Sequence, residues 1–354
     1  MEFGGLLPSH FAYDNHGRLS AASTGTRNIS YGYDSRGNLA SATDPLSRTT
    51  SYNYDLLDRP TRIDRPDSST VRFQYDASGN LTVLTTPVPA DNHFDYNGVN
   101  RVSGFTTPLG SATSYAYDKE RKLSAINLPS GKTITNTYTH GRLTGTTTAE
   151  WTNSYIYSCG DLPASISRGS EQLNYSYDGT LLKSIAQSGS VFGNIGFSYN
   201  NDFKPTAMSY GGMTASFGYD SDGLLTTAGR FTIARNAASG LPEQVSDGSM
   251  QINRTFNGYG EIDATENSSG FSYNLTRNNS GRITAKLEQL AGINNQFAYS
   301  YDNIGRLLTV SKDGALVEEY RHDDNGNRTY EMNELRAITG RTFTHSDEDH
   351  TYQD

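Results

Sequence analysis

The chain has 354 residues and a net charge of −9 at pH 7, and only 34% of it is hydrophobic. The acidic balance disfavours nucleic acid as a partner, and no apolar run approaches the roughly 20 residues a membrane-spanning helix needs. A single cysteine, Cys159, rules out a disulfide framework within the chain.

Counting Gly and leaving out Tyr, the apolar share is roughly 37%, against about 45–50% for ordinary globular domains. The 24 Tyr outnumber the 14 Phe and the single Trp151 combined. A thick aliphatic core is therefore not expected. A thin β-layer held by tyrosine ladders and backbone hydrogen bonds fits better.

Residues 1–10 contain no signal peptide. They read as a leader or a cloning remnant beginning Met1-Glu2-Phe3, which suggests a piece of a longer protein. From residue 11 a short motif recurs. It is first seen as Phe11-Ala12-Tyr13-Asp14-Asn15-His16-Gly17-Arg18-Leu19 and then as Tyr31-Gly32-Tyr33-Asp34-Ser35-Arg36-Gly37-Asn38-Leu39. Tyr54-Asp55, Tyr75-Asp76 with Gly79, Tyr96-Asn97, Tyr117-Asp118 and Tyr138 continue it. From Tyr33 to Tyr138 there are 105 residues in five steps, 21 each. A steady period of that size marks a stacked or wound repeat.

Aromatic residues two apart share one face of a strand. Asp at the head of the turn can accept from a backbone N–H two residues on, and Gly at its fourth position tolerates a positive φ. Each unit thus reads as strand, Asp-x-x-Gly turn, strand, second turn. The second turns are visible at Asp44-Pro45-Leu46-Ser47, Pro66-Asp67-Ser68, Pro108-Leu109-Gly110, Pro129-Ser130-Gly131 and Lys312-Asp313-Gly314.

The period drifts after residue 138. Tyr157, Tyr177-Asp178, Tyr199 and Tyr219-Asp220 with Gly223 follow at spacings of 19, 20, 22 and 20. The motif decays between residues 225 and 290, where 286–291 is the one short helix candidate. It recovers at Tyr299-Ser300-Tyr301-Asp302-Asn303-Ile304-Gly305-Arg306-Leu307 and at Tyr320-Arg321-His322-Asp323-Asp324-Asn325-Gly326. About sixteen units are expected over residues 11–330. Residues 331–354 form an acidic end that reads as a truncated further repeat.

The expected fold is all-β, an array of β-hairpins paired edge to edge in one antiparallel ribbon of about thirty strands. Twisted sheets rarely exceed about ten strands flat, so the ribbon must coil into a spiral wall or open shell. A β-propeller is the alternative. Its blades need about 40 residues and a Trp-Asp-like signature, and the single Trp counts against it. Free strand edges are expected near residues 11–20 and 320–354. The particle should be monomeric or weakly self-associating, with an open concave surface.

Tyr-Asp-x-x-Gly-Arg/Asn-Leu at this spacing resembles the YD/RHS repeat family, over nearly all of residues 11–330. The resemblance implies a spiralling β-sheet that builds a hollow cocoon. In bacterial Rhs and insecticidal Tc-type proteins the cocoon encloses a C-terminal toxin; teneurins carry related shells on animal cell surfaces. Cargo-bearing members have an aspartate-based self-cleaving Asp-Pro-x-Gly-type motif at the end of the shell. The only Asp-Pro here is Asp44-Pro45, followed by Leu46-Ser47. The processing site and cargo are therefore expected outside this sequence.

On this reading the chain is a structural segment of an encapsulating wall, not an enzyme. It is secreted or at a cell surface and partnered by the rest of its parent chain or a toxin cargo. The alternative is an extracellular module that binds glycans or cell-surface proteins through exposed tyrosine rows. Tyr33, Asp34, Gly37, Tyr54, Asp55, Tyr75, Asp76, Gly79, Tyr117, Asp118, Tyr177, Asp178, Tyr219, Asp220, Gly223, Tyr301, Asp302 and Gly305 are read as structural repeat residues.

No catalytic, cofactor or metal site is expected. There is no Gly-x-Ser-x-Gly elbow, phosphate loop or Cys-x-x-Cys. Cys159 reads as a lone buried thiol rather than a nucleophile. His345-Ser346-Asp347-Glu348-Asp349-His350 reads as a solvated tail rather than a metal site. Asp220-Ser221-Asp222-Gly223 and Asp323-Asp324-Asn325-Gly326-Asn327 faintly resemble calcium loops, but they occupy the repeat's turn position.

Overall fold

The computed structural model describes residues 4–158, 160–345 and 351–353. Cys159, the acidic run at 346–350 and residues 1–3 lie outside the described residues. So do the expectations attached to them.

Among the described residues there are 34 strands, from Ser9–Tyr13 to Thr351–Gln353. Each pairs antiparallel with the next in sequence, giving one unbranched ribbon. The single helical element among the described residues is a 3-10 turn at Glu334–Arg336, capped by Asn333, whose side chain accepts from the Arg336 amide. The helix candidate at 286–291 is corrected. Ile283–Leu290 is a strand paired with Ile293–Tyr301, and Ala291-Gly292 is its turn. Lys286 and Glu288 lie two apart on one strand face and pair at 2.6 Å.

One side of the ribbon is covered and the other is open. Along Ala112–Tyr117 the side chains alternate exposed and half-buried, with Thr113, Tyr115 and Tyr117 on the covered face. On that face the rows run across strands. Tyr52 stands opposite Ile63, Phe94 opposite Phe105, Tyr115 opposite Ile126 and Ile126 opposite Ile134. The Phe94 and Phe105 rings are 5.2 Å apart. Such cross-strand pairs are the unit of sheet stabilisation. Among the described residues no large side chain is fully buried, and the one compact cluster is Phe297, Val310 and Val317, backed by Tyr299 and Leu307. A single layer cannot enclose its side chains from both sides.

The coiling has a local cause. In unit after unit the register slips just before the motif tyrosine. Gly32 faces Ser41 while Tyr33 faces Leu39, and Gln74 faces Val83 while Tyr75 faces Leu81. The same slip precedes Tyr117, Tyr199, Tyr219 and Tyr301. A bulge adds a residue to one strand, bends it and raises the local twist. Repeated once per hairpin, it turns a long ribbon into a coil.

The wall coils through more than one full turn. Its second turn comes back onto the first, and the Leu7 amide donates to the Gly258 carbonyl at 2.7 Å. Further contacts join residues 232–259 positions apart. At about 21 residues per unit, one coil holds roughly eleven or twelve units.

Candidate functional site

The two ends of each hairpin differ in chemistry. At one end is the Asp-x-x-Gly turn. Asp34 Oδ1 accepts from the Arg36 and Asn38 amides at 2.9 and 2.8 Å. Asp55 does the same for Leu57 and Arg59, Asp118 for Glu120 and Lys122, and Asp220 for Asp222 and Leu224. Asp76 accepts from the Asn80 amide, and Asp302 from those of Ile304, Gly305 and Arg306. Gly305 has a φ of +91°, and an added Cβ would strike the Arg282 guanidinium. Gly37, Gly79 and Gly223 hold the same place.

At Asp14, Asp55 and Asp76 such hydrogen bonds hold the carboxylate down. The Arg18 amide is the largest influence on Asp14, whose pKa falls to about 2. Burial pushes Asp302 up, but hydrogen bonds from Arg306 outweigh it and the net shift is downward.

Tyr177 and Asp178 depart from this pattern. Asp178 is in a strand opposite Leu181, and Gly179-Thr180 forms a two-residue hairpin turn. No Asp-x-x-Gly loop exists there for the carboxylate to close.

Tyrosine ties many of the units to the one before. The Tyr33 hydroxyl donates to the Leu19 carbonyl at 2.8 Å, Tyr54 to Leu39, Tyr75 to Pro60, Tyr96 to Leu81 and Tyr117 to Val102. Tyr219 reaches Pro205 and Tyr301 reaches Ile283. The residue after the turn's fourth, positive-φ position adds a second tie. Arg59 pairs with Asp55, lies over the Tyr75 ring and donates to the Asp76 carbonyl. Arg18 covers Tyr33, Lys204 covers Tyr219 and Arg282 covers Tyr301. Asn38 and Asn80 bridge to Asp58 and Asn100 of the next turn instead. The Tyr33, Tyr75, Tyr219 and Tyr301 rings are thus covered packing surface.

The stretch that looks degenerate in sequence keeps the same joints with other atoms. Arg235 and Arg277 stand where tyrosine is expected, and they donate to Leu225 and Ile262 carbonyls. Each also donates to the carbonyl of its own turn glycine, Gly240 or Gly281. Asn236, Asn257 and Asn278 replace the aspartate and accept the same amides. The available signal was Asn followed by Gly and then an apolar residue. His322 takes the tyrosine place in the unit after Tyr301. Its Nδ1 is buried without a partner, and burial, then Arg306 and Arg328, hold its pKa below the usual histidine value.

The seam joins the two ends of the hairpins. Asp-x-x-Gly-type turns of the later units pack against second turns of the earliest units. Arg27 makes a bidentate pair with Glu261 at 2.8 and 2.9 Å and stacks on Tyr259 at 3.7 Å. The Tyr259 hydroxyl accepts from the Thr26 amide, and Arg277 Nε lies 3.5 Å from Glu261. Further round, Arg48 reaches Ser280, Arg65 reaches the Asp324 carbonyl and the Val88 amide donates to Asn325. Between the coils lies a cleft of about 830 Å³ lined by Leu7, Phe11, Ile29, Arg48 and Arg282. Arg27 first, opposed by burial, lowers Glu261 to a pKa of about 2.

Nothing in the seam combines a nucleophile, a base and an orienting group. Among the described residues no three His, Cys, Asp or Glu side chains gather as metal ligands. In the two calcium-like loops, Asp220 Oδ1 and both carboxylate oxygens of Asp323 accept within their own turns.

A family model described as teneurin YD-shell matches residues 1–344. Two solved structures, of TcdB2-TccC3-TEV and of TcdB2-TccC3, are similar in fold, each with a TM-score of 0.63 at 11% identity. They cover 97% and 98% of this chain, which spans 23% and 25% of theirs. A comparison with curated protein sequences finds no match.

Proposed function

Because the chain belongs to the teneurin YD-shell family, a family of structural β-walls, we propose that it is one part of a hollow shell that houses a cargo supplied by its own longer parent chain. The observation that carries this reading is the seam. Arg27 and Glu261 meet across 234 residues of sequence, so the ribbon encircles a space rather than lying open. The chain spans about a quarter of the structures it resembles, whose names join TcdB2 to TccC3. Both facts support a wall segment whose contents lie elsewhere in the parent. The role is structural, with no turnover of its own, and a place outside the cytoplasm goes with it.

The parent chain tests this. Its segment C-terminal to the wall should resist added protease in the native protein. It should become sensitive when Arg27→Ala and Glu261→Gln break the seam. Digestion at the same rate with the seam intact or broken would refute the housing role.

A further inference from the structure

Next to the cleft of about 830 Å³, the seam holds a second one of about 450 Å³. It lies between the joint where Arg48 reaches Ser280 and the joint where Arg65 reaches the Asp324 carbonyl. These second turns are two strands apart, so the opening is roughly 10 Å wide. Ile29, Asp44, Arg48 and Arg282 line both clefts and make them continuous. The strands from Leu19–Thr24 to Pro60–Asp64 on one side, and from Ile283–Leu290 to Leu307–Lys312 on the other, each have a ladder partner on both edges. The cleft is therefore bounded by the two coils and not by either end of the chain. Its floor is apolar, with Ala42, Ile63 and Ile304 beside Ile29. Its charge is unbalanced. Arg48 is held by Asp44, and Arg27, in the larger cleft, by Glu261. Arg65 and Arg282 pair with no carboxylate among the described residues. They donate to the Asp324 and Ile304 carbonyls, each at 3.4 Å. Those contacts exceed the roughly 2.7–3.2 Å of a firm bond, so both guanidiniums keep donors for another acceptor. A mostly apolar cleft with a few convergent polar groups is the usual form of a small-molecule site.

We propose that this seam cleft binds a single-chain amphiphile with an anionic head, of the fatty carboxylate class. The head takes the spare donors of Arg65 and Arg282, since guanidinium forks suit carboxylate geometry. The alkyl chain lies along Ile29 and Ile63 and runs on into the larger cleft toward Leu7 and Phe11. A peptide suits the cleft less well. Its backbone would need a strand edge to pair with, and the flanking strands have none free.

Titration calorimetry of the purified chain with dodecanoate, below its aggregation concentration, is the test. One dodecanoate should bind per chain. Dodecyltrimethylammonium keeps the tail and reverses the head, and acetate keeps the head without the tail. Each should bind at least about tenfold more weakly. Arg65→Gln with Arg282→Gln should weaken dodecanoate by at least about tenfold. Ile304→Glu should do the same by setting a carboxylate beside the two guanidiniums. The turn should accept it, because Glu120 and Asp222 hold the same place and their amides donate to the turn aspartate as that of Ile304 does. Circular dichroism and hydrodynamic radius should stay those of the parent. No binding of dodecanoate would overturn the proposal. So would equal affinity for the cationic amphiphile or for acetate, variants that bind like the parent, or displacement of dodecanoate by a capped leucine–glutamate tetrapeptide at equal concentration.

Discussion

The Arg27 guanidinium and the Glu261 carboxylate, 234 residues apart, face each other through two parallel hydrogen bonds of 2.8 and 2.9 Å. Their strands lie in different turns of the coil, and no ladder of backbone bonds joins them. Glu261→Gln should therefore open the coil without unfolding the hairpins. The ion pair is partly exposed and screened, so the loss should be on the order of 1–2 kcal/mol. The hydrodynamic radius should grow while the far-ultraviolet circular dichroism stays that of the parent.

The same pair sets a pH dependence. An ordinary Glu titrates at 4.5, and here the folded value is about 2. A depressed carboxylate contributes stability that is complete above the unfolded value and is lost as pH falls through the folded one. The seam should hold at pH 5 and above and loosen between about 4.5 and 2. In Glu261→Gln that acid step in radius should be missing.

Tyrosine hydroxyls carry the ladder between units. Tyr96→Phe removes the donor to the Leu81 carbonyl, 2.9 Å away, and should cost about 0.5–1.5 kcal/mol in thermal unfolding. Tyr13, exposed on the first strand, should lose little when changed to Phe. Equal costs at the two positions would show that the ring alone matters.

Turn aspartates should separate in the same way. Asp302→Ala strips three amide contacts and should cost on the order of 0.5–2 kcal/mol, by analogy with side-chain caps at helix ends. Asp178, in its two-residue hairpin, should tolerate Ala with a much smaller loss. Paired denaturant melts check both.

His322 gives the wall a second acid response. Its folded pKa lies below the ordinary 6.5 because burial and two guanidiniums disfavour the cation. The unfolded chain then binds the proton more readily, so stability is level above about 6.5 and declines as pH falls below it. His322→Tyr, which restores the residue usual at this position, should flatten melting temperature between pH 7 and 5. A slope unchanged by that substitution would assign it to other groups.

The sequence exposed the hairpin and its period because Tyr33, Asp34 and Gly37 each have one job in one turn. The ribbon, its antiparallel order and its coiling were legible from that motif alone. Residues 225–290 were harder because Arg277 does with a guanidinium what Tyr301 does with a hydroxyl, and letter patterns hide the equivalence. Residues 286–291 suggested a helix, but Lys286 and Glu288 alternate with strand spacing. The seam could not be read at all. Whether residue 27 meets residue 261 depends on the bend added by each bulge, summed over a whole coil, and the period carries no measure of that angle.

The distance across the seam tests the account most directly. Spin labels at the exposed positions Asn28 and Asp263, in a chain carrying Cys159→Ser, report it by double electron–electron resonance. The coil predicts one short separation, set by the two label tethers, that lengthens in Glu261→Gln. An uncoiled ribbon would place the labels about 23 strand steps apart, roughly 110 Å along the sheet, and a long or very broad distribution in the parent chain would contradict the closed wall.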